Sequence, residues 1–154
     1  MASPTNAVKY AARLCLCGML CLAAAAQAAD FRSVGEHAAV LFDGPSLKAK
    51  KTHVVGSGYP VEIIVTLEGW YKVRDVSGGL AWIEGKNLTE RRTLIVKARL
   101  ADVRQTASDS APLVFQAEQN VLLDLAELGD GLWVRVTHRD GQSGYLRTTQ
   151  VWGL

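Results

Sequence analysis

Few side chains in this sequence have the types and spacing that chemistry needs. His37, His53 and His138 are scattered, and none stands three or four residues from another His or from a Cys, so zinc-ligand spacing is missing. No serine sits in a Gly-x-Ser-x-Gly elbow. The three cysteines, Cys15, Cys17 and Cys21, all fall in an apolar N-terminal run and leave no thiol for the rest of the chain. A Ser, a His and an Asp could still meet in space. With no motif to hold them, the expectation is a protein that is not an enzyme, has no catalytic residues and carries neither metal nor cofactor.

Aromatic side chains set among charges are the stronger candidates. In Trp70-Tyr71-Lys72-Val73-Arg74, if Tyr71 and Val73 face a core, strand alternation sends Trp70, Lys72 and Arg74 to the opposite face. The same rule separates Ile83 from Trp82 and Glu84. Tyr59, just before Pro60, would border this surface. Large rigid rings flanked by charge suit the gripping of an extended peptide or a sugar, because they offer contact area at low entropic cost. Packing is the competing use: an outward Trp on a curved sheet can fold over a hairpin or fill a seam. The candidate ligand-binding set is Tyr59, Trp70, Lys72, Arg74, Trp82 and Glu84.

The elements that position these residues come twice. Trp70 to Leu88 aligns without a gap to Trp133 to Val151, pairing Trp70 with Trp133, Lys72 with Arg135, Gly78 with Gly141, Ala81 with Gly144 and Trp82 with Tyr145. Upstream, a one-residue shift lets Val61-Glu62-Ile63 match Leu123-Asp124-Leu125 and Gly69 match Gly131. Apolar runs such as 39–42, 61–65, 94–96 and 121–125 are short, rich in β-branched residues and bounded by Gly, Asp or Ser, which predicts strands joined by tight turns. Leu122 to Leu128 has some helical spacing, but Gly129, Asp130 and Gly131 cut it short, and strand is the expectation. Asp140-Gly141 predicts a type I′ hairpin, with Ser77-Gly78-Gly79 in the same role earlier. Gly44, Gly78, Gly141 and Gly144 read as turn residues. Leu94 to Val103 has no Pro, Gly or Ser, so the two units should form a rigid packed pair, with Trp152 fastening the chain end or the seam.

Composition narrows the partners. Lys9 and Arg13, the apolar run 14–26 and Ala26-Gln27-Ala28 form the pattern of a secretory signal peptide over residues 1–28, too short in its apolar part to span a bilayer. Its removal leaves no cysteine, no disulfide and no integral membrane span. The chain has 17 Lys+Arg, and losing Lys9 and Arg13 brings that count level with the 15 Asp+Glu. Nucleic-acid binding then lacks its electrostatic basis. Lys48-Ala49-Lys50-Lys51 and Arg91-Arg92 remain as small local clusters.

The run Val40-Leu41-Phe42-Asp43-Gly44-Pro45-Ser46-Leu47-Lys48-Ala49-Lys50-Lys51, then Gly58-Tyr59-Pro60-Val61-Glu62, Gly69 to Asp75 and Trp82-Ile83, resembles the bacterial SH3-like (SH3b) domain of exported proteins. Leu100 to Leu154 resembles the same family through Trp133 to Val136, Gly141, Gly144-Tyr145-Leu146 and Val151-Trp152-Gly153, and departs from it at Arg104 to Ser108. The resemblance implies an all-β protein of two tandem SH3-like small barrels, over 34–97 and 98–154, each a strongly bent five-stranded sheet. It also implies a non-catalytic, periplasmic or secreted module of the cell envelope that contacts peptidoglycan peptide or another extended peptide. A structural or adaptor role on an envelope protein is the alternative, and cell-wall hydrolysis the minor one. One fold hosts many functions, so the family alone does not name the ligand.

Overall fold

A computed structural model describes residues 29–154, so the expected signal peptide and its cysteines lie outside the described residues. The chain forms β1 (Asp30–Val34), β2 (Ala39–Phe42), β3 (Lys51–Val55), β4 (Pro60–Leu67), β5 (Trp70–Arg74), β6 (Leu80–Glu84), a 3₁₀ turn (Gly85–Asn87) and β7 (Leu88–Thr89). The series then repeats as β8 (Thr93–Val96), β9 (Leu100–Arg104), β10 (Leu113–Glu118), β11 (Leu122–Leu128), β12 (Trp133–Thr137), β13 (Ser143–Arg147), a 3₁₀ turn (Thr148–Gln150) and β14 (Val151–Trp152). The two antiparallel sheets have the same order, β3-β2-β6-β5-β4-β1-β7 and β10-β9-β13-β12-β11-β8-β14. The fold is all-β and the pattern that repeats in sequence repeats in space as tandem SH3-like barrels.

Each sheet has seven strands where five were expected. The strand that enters each barrel pairs with the short strand that closes it, Val34 with Leu88 and Val96 with Val151. Even the irregularities repeat. Register shifts between Ile63 and Val65 in β4 and between Leu125 and Glu127 in β11 mark a bulge at the same place in both barrels. A bulge adds one residue to one strand and bends it, which is how a short sheet curls upon itself.

Alternation fills the two cores. Val34, Leu41, Val61, Val73 and Ile83 are almost fully buried in the first. Leu94, Val96, Val103, Leu123, Val136 and Leu146 do the same in the second. Thr93–Val96, read from sequence as the end of the first unit, pairs with β11 and β14 and belongs to the second sheet. The changeover therefore falls at 90–92, and the first sheet begins at Asp30 rather than Val34. Continuous apolar character across 94–96 hid this, because a strand buried on both faces carries no mark of which sheet it joins.

The hairpin turns also differ from expectation. A type I′ turn needs positive φ at both central residues. Among Asp75 to Leu80 only Gly78 is left-handed, at φ 86, and among His138 to Gln142 only Gly141, at φ 92. Gly78 N–H donates to the Asp75 carbonyl and Asp75 N–H to that of Gly79. That is a longer loop ending in a glycine bulge, and the Asp75 carboxylate holds it by accepting from the N–H groups of Ser77 and Gly79. The two-residue turn with both φ positive is Glu68-Gly69, between β4 and β5.

The barrels meet across a packed seam. Ser33 Oγ and Thr93 Oγ1 are 2.7 Å apart and buried, and Thr93 Oγ1 donates to the Gly58 carbonyl at 2.5 Å. Trp152 stands edge-on to Phe31 with centroids 4.9 Å apart, so it fastens the seam as expected. Arg92 also lies over the Phe31 ring and donates from Nη2 to the Gly153 carbonyl, while its buried Nε has no partner. Within the changeover, Arg91 pairs with Asp124 and Arg92 bonds Gly153, so both arginines are engaged with the second barrel.

Candidate functional site

Residues directly opposite on antiparallel strands project from the same face. Register therefore builds the surface of the first barrel: Trp70 faces Glu84, Lys72 faces Trp82 and Arg74 faces Leu80 across β5 and β6. Val73, Ala81 and Ile83 point the other way and are buried. The predicted alternation holds for Trp70, Lys72, Arg74, Trp82 and Glu84, which share one outward face.

The face continues on both sides. Val65 pairs with Lys72, Trp82 with Phe42, and Phe42 with Lys51. One row thus crosses five strands in the order Lys51, Phe42, Trp82, Lys72, Val65. A second row adds Leu67 beside Trp70 and Glu84. Trp70 stands edge-on over Phe42 with centroids 5.4 Å apart, a geometry that contributes about 0.5–1.5 kcal/mol beyond area burial. Phe42 is 4% exposed although it points away from the core cluster, because Trp70 covers it. Packing and display are both served here: each Trp spends part of its surface on the barrel and leaves part to solvent, half-buried in both cases.

Charges on the face divide into engaged and free. Arg74 donates to Glu62 Oε2 at 2.8 Å, and Glu84 pairs with Lys86 at 2.9 Å. Among the described residues no carboxylate pairs with Lys51 or Lys72. Tyr59 does not join the group. It packs against the first core cluster near Asp75 and Val76, and burial raises its phenol above the ordinary value, with the Val76 backbone opposing and the Asp75 charge adding to the shift.

Phe42, Lys51, Val65 and Leu67 are the members that sequence reasoning missed. Alternation offered a signal for Phe42: with Ala39 and Leu41 inward, Phe42 had to be outward. Lys51 carried no such sign, because the register of β3 shifts between Leu41 and Phe42.

The second barrel builds the same face from other residues. Arg104 takes the place of Phe42, Tyr145 that of Trp82, Arg135 that of Lys72, and Arg147 that of Glu84. Trp133 is only 6% exposed, and the Arg147 guanidinium stacks on it at 4.6 Å from the ring centroid. Gly144, expected in a turn, lies within β13, where an added Cβ would come 2.6 Å from the Arg104 carbonyl oxygen. It serves close approach of β9 rather than chain reversal.

A cleft of about 470 Å³ lies elsewhere, at the seam, bordered by Ser57 and Gly58 on one side and Asn120, Asp124 and Arg139 on the other. None of the six candidate residues lines it. Among the described residues no three His, Cys, Asp or Glu side chains gather as a metal site, and no helix is long and apolar enough to cross a membrane. His53 and His138 each face an aspartate, Asp75 at 3.8 Å and Asp140 at 3.0 Å.

Two small bent sheets joined by a packed seam, each with an aromatic and cationic outer face, define a tandem β-barrel module. The family model described as "Bacterial SH3 domain" matches residues 35–90 and again 97–153. The chain belongs to that family, whose domains bind peptidoglycan or peptides. Among solved structures, NlpC2 and NlpC1 of Trichomonas vaginalis match at 15% and 16% identity, each with a TM-score of 0.38 and 82% of this chain covered. An NlpC/P60 family protein of Bacillus cereus matches at 16% identity and a TM-score of 0.38 over 80% of this chain. The chain spans about half the length of these structures, covering 48%, 46% and 56% of them in turn. Similarity at this level carries no weight for activity. No curated protein matches the chain.

Proposed function

We propose that this chain is an exported, non-catalytic binding module of the cell envelope, which holds an extended peptide such as a peptidoglycan stem peptide against the outer face of its first barrel. One observation carries the reading: in the row Lys51, Phe42, Trp82, Lys72, Val65, aromatic side chains stand between two ammonium groups that no carboxylate pairs, with aliphatic Val65 beyond the second, across five of the seven strands. An extended chain crossing that row would set apolar groups on Trp82 and Trp70 and polar groups at the lysines. The signal-peptide pattern of residues 1–28 supports export. Tyr59 belongs to the support of the barrel in this reading, and Arg74 and Glu84 to the rim.

Sedimentation with purified cell-wall sacculi tests it. The chain is expected in the pellet, with its tryptophan fluorescence changed. Trp70→Ala and Trp82→Ala should each weaken retention about tenfold or more, in the range of central aromatic contacts, while circular dichroism stays that of the parent. A chain left wholly in the supernatant with unchanged fluorescence removes the wall ligand.

A further inference from the structure

We propose that the two barrels are not interchangeable: the first receives a carboxylate-bearing extended segment on its open face, while the second keeps the equivalent face shut with its own Arg147 and Asp109. The inference rests on the reading that the aromatic face is the binding face, and deepens it by naming the barrel and the charge of the ligand.

The loops that follow β2 and β9 have the same hydrogen bonds. Ala49 N–H donates to the Ser46 carbonyl as Ala111 N–H does to Ser108, and Asp43 N–H to that of Lys50 as Gln105 N–H does to Pro112. This correspondence places Leu47 where the second barrel has Asp109. Arg147 Nε donates to Asp109 Oδ1 at 3.1 Å and Nη2 to Oδ2, so the carboxylate grips the guanidinium with both oxygens. The hydrogen bond from Arg147 holds the Asp109 carboxyl below its usual range. Pinned in this way, the guanidinium stays stacked on Trp133 and covers it. A planar fork held at both prongs loses little freedom in keeping that place.

Neither half of the latch exists in the first barrel. Glu84 stands at the Arg147 position and turns to Lys86, and Leu47, at the Asp109 position, is 64% exposed. Trp70 is left half open in consequence. Lys51 and Lys72 flank the aromatic row with no carboxylate partner, and Lys48 and Lys50 stand exposed on the adjoining loop. The face's carboxylates Glu84 and Glu62 are paired with Lys86 and Arg74, and Asp43 accepts from Lys50 N–H, so these four lysines outnumber the exposed carboxylates Asp43 and Glu68. An acidic segment meets attraction there, and a basic one meets repulsion.

Tryptophan indole N–H resonances, each assigned by a Trp→Phe replacement, read both halves of the proposal. The probes are a short synthetic peptide of alternating Leu and Glu and a counterpart of alternating Leu and Lys. The acidic peptide should shift the Trp70 and Trp82 signals and leave Trp133 in place, and the basic peptide should shift none of them. Lys51→Gln with Lys72→Gln should weaken binding about fivefold and flatten its salt dependence. Asp109→Leu with Arg147→Glu, which gives the second barrel the first one's residues, should bring Trp133 into the response. Asp109→Asn, a change at a surface carboxylate that leaves the core untouched, should raise acrylamide quenching of Trp133. A Trp133 shift in the parent protein, equal response to both peptides, no response at Trp70 and Trp82, or unchanged quenching in Asp109→Asn overturns the proposal. Loss of sacculus retention with the peptide shifts intact removes only the wall as target.

Discussion

Thr93→Val isolates what holds the two barrels in register. Thr93 Oγ1 donates to the Gly58 carbonyl, so the hydrogen it shares with Ser33 must come from the serine, and Ser33 Oγ in turn accepts from Thr93 N–H at 3.1 Å. Valine keeps the shape and strand preference of threonine and removes both hydroxyl bonds. Two buried bonds at about 1 kcal/mol each give about 2 kcal/mol, and the Ser33 hydroxyl, 1% exposed and left without an acceptor, raises the loss to about 3 kcal/mol. At a urea slope of about 2 kcal/mol/M, the unfolding midpoint falls by about 1.5 M. Ser33→Ala also removes two bonds and should cost a similar amount, and Ser33→Ala with Thr93→Val should be less than additive, because both single variants lose the same Ser33–Thr93 bond and the stranded serine hydroxyl is gone from the double variant. Urea unfolding followed by far-UV dichroism and by tryptophan fluorescence reads all three. A Thr93→Val midpoint within about 0.2 M of the parent, or additive effects, would refute the assignment of the network as the seam's fastening.

Two further outcomes follow from single atoms. Gly144→Ala sets a Cβ 2.6 Å from the Arg104 carbonyl oxygen and 2.7 Å from Val103 Cγ1, so thermal unfolding should show a loss of about 1–3 kcal/mol. Asp109 has a lowered folded pKa, so its pairing with Arg147 contributes in full above the ordinary carboxylate value of 3.8 and is lost as pH falls through the lower folded one. Acrylamide quenching of Trp133 should be flat from about pH 7 to about pH 4 and climb below, with Asp109→Asn showing the higher quenching throughout.

What could be read from sequence was whatever depends on period and repetition. Trp133 to Thr137 and Tyr145 to Arg147 alternate cleanly, the matching of Trp70 to Leu88 with Trp133 to Val151 shows the repeat, and the resemblance to the bacterial SH3-like domain implies the barrel. Alternation also placed five of the six candidate residues on one face. Its failures have physical causes. Tyr59 precedes the strand it was tied to, and nothing in a period of two says where a residue outside the strand will pack. Leu94–Val96 is apolar throughout, so its pattern could not reveal its sheet. The closure of Trp133 depends on Asp109, a loop residue distant in sequence from Arg147, and no local pattern encodes which carboxylate a guanidinium will find.

The seam gives the second copy a use that does not depend on its outer face. Phe31, at the start of the first barrel, is 8% exposed, with Trp152 of the second barrel and Arg92 of the changeover packed against it. Burying a phenylalanine contributes about 1.5–3 kcal/mol, so the first barrel alone would lose that much at its entry strand together with the Ser33–Thr93 bond. That strand pairs with β4, and β4 carries Val65 and Leu67 to the aromatic face. The second barrel therefore steadies, through β1 and β4, the sheet on which Trp70 and Trp82 are displayed. Duplication then need not mean two ligands: one copy can brace the surface that the other presents.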